Sequence, residues 1–368
     1  MSSLFTPLKI RDTEFQNRVW VSPMCQYQAT DGHIGPWHRA HLGAFATGAP
    51  GLIMVEATGV IPEGRISIGC TSIEDDAHAN NFKEIIDFAH SLNVKMGIQL
   101  AHAGRKASTM RPWDDHRMAT PADGGWQATS SSATAFEGYP TPRALTTDEI
   151  KELTQKFADA AKRAVKVGFD VIEIHAAHGY LLHQFLSPIS NQRTDAYGGS
   201  LENRMRFPLA VFDAVAAVLP ANMALGMRLS GTDWVDGGWD AEQSVALGHE
   251  LKKRGCHFMH ISSAGISPLQ QIPLGPNYQV PLAEQVKREV GLPTIAVGLV
   301  TEPEQAEAII ASGQADLVAM ARAMLYDPRW PWHAAAQLGA QVDAPPQYWR
   351  SQPRGMNQLF GDVKIGQR

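Results

Sequence analysis

The chain has 368 residues, 44% of them hydrophobic and 19% charged, with a formal net charge of −5 at pH 7. That composition supports a large buried core and excludes a disordered chain; with no Lys/Arg cluster it also offers no electrostatic footprint for nucleic acid or an anionic membrane. No run of roughly 18 apolar residues exists, and "MSSLFTPLKIRDTEF" at the N-terminus has no apolar signal core, so neither a transmembrane helix nor a secretory leader is expected.

The first predicted element is a small hairpin in "LKIRDTEFQN", suited to closing the bottom of a barrel. Strand-like runs follow: "RVWVSPM" from Arg18, "GLIMVEAT" from Gly51, "KMGIQLAH" from Lys95 and "DVIEIHAA" from Asp170. Then come "LGMRLS" from Leu225, "HFMHISSA" from His257, "TIAVGL" from Thr294 and "LVAMARA" from Leu317. Amphipathic segments separate them. In the clearest, Ile150, Leu153, Phe157, Ala161 and Val165 recur at helical spacing, Thr147 is placed to cap the start, and Gly168 supplies the stop.

About eight β-then-α units predict a closed parallel (β/α)8 TIM barrel, one domain over residues 1–368. The near-continuous apolarity of the strands fits sheets covered on both faces. A doubly wound sheet is disfavoured because no G-x-G-x-x-G turn follows the first strand. Two stretches break the rhythm: a Pro-, Gly-, Ser- and Trp-rich loop over 107–143, long enough to be a lid, and the aperiodic tail 343–368. Cys25, Cys70 and Cys256 are odd in number and widely spaced, which argues against a disulfide framework and fits a reducing cytoplasm.

In such a barrel, chemistry gathers at the C-terminal strand ends. These ends deliver, in order, Pro23, Met24, Cys25 and Tyr27; Glu56 and Ala57; Gln99 and His102; His175, His178 and Tyr180; Arg228; Ser262 and Ser263; Gly298; and Arg322. Arg228 interrupts an apolar strand, so its guanidinium must pair, with Glu173 next door as one choice, or face a ligand. Gly298 and Arg322 fall where barrels commonly hold a phosphate. The H-x-x-H pair His175 and His178 can chelate zinc if His102, His183 or a carboxylate joins them, which gives a metal-dependent barrel hydrolase as the alternative. Arg322 is a poor neighbour for that cation. His183 has a simpler reading as a packing or capping residue. A barrel used only to bind ligands fits poorly with polar residues at so many strand ends.

"SPMCQY" (Ser22–Tyr27), "HAAHGYLLHQFLSP" (His175–Pro188) and "NQRTDAYGGSLENRMRF" (Asn191–Phe207) resemble the old yellow enzyme family of flavin-dependent ene-reductases. The Cys25/Tyr27 pair is similar to its thermophilic-like subgroup, which includes the xenobiotic reductases. The resemblance implies an FMN-containing barrel that reduces activated C=C bonds of small molecules such as enones, maleimides and nitroalkenes, with NADPH or NADH as donor and ping-pong kinetics. It implies Ser22, Pro23, Met24, Cys25, Ala57, Gln99 and Arg228 around the flavin ring. Gly298, Ala321 and Arg322 are implied at its phosphate. It further implies His175 and His178 as the clamp on the substrate oxygen, Tyr180 as proton donor and Tyr27 as a substrate contact. No resident metal is implied. "QYWR" is similar to a tail that reaches a neighbouring protomer's pocket, through Trp349 or Arg350, in a homodimer or homotetramer. A dienoyl-CoA reductase-like barrel would need a cysteine cluster that three scattered cysteines cannot supply.

Overall fold

The structure, a computed structural model, describes residues 2–114 and 117–363. Strands β1 (Leu8–Ile10) and β2 (Thr13–Phe15) form the expected antiparallel hairpin, with Leu8 opposite Phe15. Next come β3 (Val19–Val21), β4 (Leu52–Gly59) and β5 (Lys95–Ala101). The pair β6 (Thr129–Ser130) and β7 (Arg143–Ala144) lies apart, followed by β8 (Val171–Ala176) and β9 (Ala224–Ser230). Last are β10 (Phe258–Ser262), β11 (Thr294–Ala296) and β12 (Leu317–Met320). The eight strands β3, β4, β5, β8, β9, β10, β11 and β12 pair in parallel and close in that order into a barrel. All eight predicted runs are therefore barrel strands.

Two packing layers hold it together. Trp20, Leu52, Met54, Val171, Phe258, Ile295 and Leu317 form one cluster that also takes in Ile10 and Phe15 from the hairpin. Phe15 and Trp20 meet at 5.1 Å with their rings tilted at 59°, and Trp20 meets Phe258 edge-on at 5.4 Å, so the hairpin plugs the barrel below. A larger cluster joins the outer strand faces to the helices. Helix Thr147–Val167 contributes Ile150, Leu153, Phe157, Ala161 and Ala164 to it; each large apolar side chain so buried stabilises by about 1.5–3 kcal/mol.

The cap of that helix differs from expectation. Thr146, not Thr147, is the N-cap: its hydroxyl accepts from Glu149 N at 3.2 Å, and the Glu149 carboxylate accepts from Thr146 N at 2.8 Å. Thr146 is extended while Thr147 is already helical, and only the extended residue can aim its hydroxyl back along the first turn. Gly168 ends the helix at φ 107°, as expected.

The 107–143 segment is anchored at several points. Ser130 Oγ donates to Gln184 Oε1 at 2.8 Å, Ser131 Oγ donates to Gln184 O at 2.9 Å, and Ser132 Oγ accepts from Gln192 N at 2.8 Å. Asp115 and His116 of this loop, and residues 364–368 of the tail, lie outside the described residues. The described tail packs Leu359 and Phe360 with Ala49, Trp332 and Val342. Among the described residues, no helix is long and apolar enough to cross a membrane.

Candidate active site

β8 ends in His175, and the chain then turns sharply. His178 is left-handed (φ 59°) and its N–H donates to Ser230 Oγ at 2.9 Å. Gly179 follows at φ 73°, where a Cβ would meet Gly265 O at 2.0 Å. A strained non-glycine beside a glycine that backbone packs against is typical of a functional turn. It folds His178 back over His175, whose Nε2 lies 3.4 Å from His178 Nδ1. Tyr180 then caps helix Leu181–Leu186, and its ring meets that of His175 edge-on at 5.1 Å.

The proton positions follow from the outer contacts. His175 Nδ1 accepts from Ala177 N at 3.2 Å, so the ring proton sits on Nε2. His178 Nε2 is 2.7 Å from Ser262 Oγ. Gln279 Oε1 already accepts from Ser263 Oγ at 2.6 Å, against 3.3 Å from Ser262 Oγ, so the Ser262 hydroxyl is available to donate to His178. His178 then carries its proton on Nδ1, and two N–H groups point at one spot. Burial, reinforced by Arg228, pushes both imidazoles well below their ordinary range, so they are neutral donors. Burial pushes the Tyr180 phenol well above 10, so it keeps its proton.

Arg228, in register with His175 and His260, is buried, and its Nε has no partner. Glu173 does not take it, as the sequence allowed. The Glu173 carboxylate instead accepts from Gln99 Nε2 at 2.7 Å and lies 2.8 Å from His260 Nδ1. β5, β8 and β10 bring these three together in the barrel. Burial alone would raise Glu173; His260, Arg228 and Gln99 outweigh it and hold the carboxylate below its ordinary range. Ser22 Oγ, just past β3, is a second buried polar atom without a partner. Both lie at the C-terminal end of the barrel, where a ligand could take them up.

At the ends of β11 and β12 a cavity of about 170 Å³ is lined by Gly298, Ala321, Arg322, Ser262 and Gln279. Gly298 has φ 122°, and a Cβ there would lie 2.6 Å from Gln279 Nε2. The bare backbone next to an arginine suits a phosphate. Ala57 sits opposite Gln99, Met24 O accepts from Gln26 Nε2 at 3.0 Å, and Pro23 and Cys25 flank Met24. Tyr27, left-handed at φ 55°, meets Trp113 of the long loop edge-on at 5.9 Å.

Other expected residues go elsewhere. His183 Nε2 lies 2.8 Å from Asp233 Oδ1, both fully buried, and His102 Nδ1 accepts from Gly104 N. Among the described residues, no third ligand therefore joins His175 and His178, and the hydrolase alternative has no centre to rest on. Among the described residues, the trio with metal-ligand spacing is Cys25, Glu56 and Cys70. Trp349 packs against the Trp332–Phe360 cluster, with its Nε1 donating to Ala344 O, and Arg350 is its exposed neighbour.

Lys106 was not singled out from the sequence. Its Nζ donates to His178 O at 2.9 Å and Gly265 O at 3.0 Å and lies 5.1 Å from the Tyr180 ring centroid, with Phe136 on another side at 4.9 Å. Burial lowers its pKa to about 8. A cation immediately past the third strand end was the one signal for it.

Residues 3–341 match the NADH:flavin oxidoreductase / NADH oxidase family. The chain is 43% identical to an NADPH dehydrogenase of Geobacillus thermodenitrificans, over 94% of this chain and 98% of the relative. It is also 43% identical to an NADH:flavin oxidoreductase of Gibberella zeae, over 97% and 91%. Among solved structures, morphinone reductase superposes with a TM-score of 0.76 at 30% identity, over 94% of this chain and 91% of that one. The barrel, its flavin-family match and these relatives make the chain a member of the NADH:flavin oxidoreductase / NADH oxidase family, an old-yellow-enzyme-like oxidoreductase with FMN as cofactor and NAD(P)H as electron donor.

Proposed function

We propose that the chain is an ene-reductase of the thermophilic-like subgroup, acting on C=C bonds activated by a carbonyl or nitro oxygen: enones, maleimides and nitroalkenes. FMN supplies two-electron chemistry when bound. The chain fits it: Ser22 Oγ and Arg228 Nε are buried and unpartnered, and a cavity of about 170 Å³ opens beside Gly298 and Arg322. Ser22, Pro23, Met24, Cys25, Ala57, Gln99 and Arg228 would hold its ring, and Gly298, Ala321 and Arg322 its phosphate. Glu173 takes the Gln99 N–H, which leaves the Gln99 carbonyl as the acceptor toward the ligand.

The observation that carries the reading is the 3.4 Å convergence of His175 Nε2 and His178 Nδ1 next to Tyr180. Two neutral N–H donors aimed at one spot bind a substrate oxygen and stabilise the charge that grows on it. Tyr180, a phenol that burial keeps protonated, gives its proton to the substrate carbon. The Lys106 ammonium over its ring favours the phenolate left behind. Tyr27 contacts the substrate. NAD(P)H and substrate use the same pocket in turn, which gives ping-pong kinetics. Residues 1–368 act as one FMN-binding unit, in the cytoplasm. Trp349 or Arg350 completes the pocket of a neighbouring protomer in a homodimer or homotetramer.

The test is the visible spectrum of the purified protein under anaerobic conditions. NADPH should bleach the flavin band, and cyclohexenone should restore it with formation of the saturated ketone. A yellow protein that NADPH bleaches but no activated alkene restores would overturn the ene-reductase reading.

A further inference from the structure

The ladder between β4 and β5 slips at one residue: Val55 faces Ile98 and Ala57 faces Gln99, which leaves Glu56 without a ladder partner. A bulge of this kind re-aims a side chain. Glu56 meets Cys25, just past β3, and Cys70, in the loop after β4. The two Sγ atoms and a carboxylate oxygen lie within 4.8 Å of one another. We propose that Cys25, Glu56 and Cys70 form a binding site for one thiophilic d¹⁰ cation of the zinc(II) class, a site that shares Cys25 with the flavin-ring contacts proposed above.

The donor set and its surroundings fit that chemistry. Thiolate ligands at roughly 2.3 Å and a carboxylate oxygen at roughly 2.0–2.2 Å from tetrahedral zinc stand roughly 3.5–3.8 Å apart, so the trio needs to close by only about 1 Å. Glu56 and Cys70 also have outer contacts that fix them, as metal ligands generally do. His38 Nε2 lies 3.2 Å from Glu56 Oε1, Glu56 Oε2 accepts from Gln26 N at 3.1 Å, and Ser67 Oγ lies 3.3 Å from Cys70 Sγ. Each carboxylate oxygen keeps a second lone pair for a cation. Glu56 and Cys70 are buried while Cys25 is half-buried, so the trio opens at Cys25, where the flavin ring is proposed to lie, and the cation enters before FMN does. Cys256 is the contrast: its Sγ contacts only the backbone oxygens of Phe258 and Leu225, as a cysteine that merely fills space does. Three protein ligands leave a fourth position for water.

The experiment equilibrates the FMN-free protein with micromolar zinc(II), reloads FMN, desalts it, and measures zinc per chain by elemental analysis, with cadmium(II) as a second probe read by its ultraviolet thiolate-to-metal band. About one equivalent is expected for the parent and for Cys256→Ser, and below about one-tenth for Cys70→Ser. Mass spectrometry on the parent alone keeps the test open if Cys70→Ser fails to fold: zinc should slow alkylation of Cys25 and Cys70 together. Less than about one-tenth of an equivalent in the parent, a full equivalent in folded Cys70→Ser, or alkylation at a rate indifferent to zinc overturns the site.

Discussion

Ser262→Ala removes one hydroxyl, and its effect should be felt at the oxygen clamp. In the parent, that hydroxyl sits 2.7 Å from His178 Nε2 and fixes the ring proton on Nδ1, facing His175 Nε2. Without it, His178 can carry its proton on Nε2 and accept from His175 at 3.4 Å, so the two donors satisfy each other instead of a ligand. A buried group left unpaired costs about 1–3 kcal/mol; with about 1.4 kcal/mol falling on the donor tautomer, the competent population drops about tenfold. Phenol, used as a probe of the proposed clamp, should bind the oxidised protein about tenfold more weakly than in the parent, read by titration of the flavin spectrum. If the pair acts as the proposed clamp and stabilises charge growing on the substrate oxygen, kcat/KM for cyclohexenone per bound FMN should fall about 10–100-fold. Phenol binding within about twofold of the parent would refute the reasoning, because the Ser262 contact would then not set the proton.

Tyr180→Phe should lower cyclohexenone reduction by about 10²–10⁴ while NADPH still bleaches the flavin, measured by separate stopped-flow half-reactions. Lys106 is charged below about pH 8 and neutral above it, so the rate of alkene reduction should fall as pH climbs through about 8, and Lys106→Met should remove that limb from the pH–rate profile. Its effect on stability runs the other way: the unfolded chain keeps this proton up to the ordinary value of 10.5, so stability should rise with pH between about 8 and 10.5 in urea titrations. Asp233→Asn leaves His183 without its carboxylate in a fully buried pair and should cost about 3–5 kcal/mol in urea unfolding. Burial raises Asp233, but His183, Ser187 and Trp239 N together hold it below the carboxylate range, so its contribution is present above about pH 4 and lost as pH falls through the lowered value. Mixing Trp349→Ala or Arg350→Ala protomers with Tyr180→Phe protomers should give hybrid activities that depend on the ratio if the tail acts across protomers, and simple dilution if it does not.

The strands and their ends were legible because a parallel barrel buries both strand faces and so writes each strand as an apolar run. Gly168 and the period of Ile150, Leu153 and Phe157 carried the helix before β8 for the same reason: local geometry fixes them. The one-residue error at Thr146 arose because two adjacent threonines offer the same side chain, and only backbone angles separate them. Partners were harder. Glu173 reads as a mate for Arg228, yet Gln99 and His260, on β5 and β10, take its carboxylate. Lys106 looks like an ordinary surface cation until Phe136, some 30 residues further on, folds over it.

By itself, the sequence determined the barrel, the end of it that carries the polar residues, and the tight spacing of His175, His178 and Tyr180, since all of these depend on neighbours a few residues apart. Only the tertiary structure decided which way His178 turns, which groups hold Glu173 and His183, and that a slip in β4 sends Glu56 toward two cysteines. Those outcomes depend on strand register and on contacts between segments far apart in the chain, where a shift of one residue reverses the face a side chain occupies.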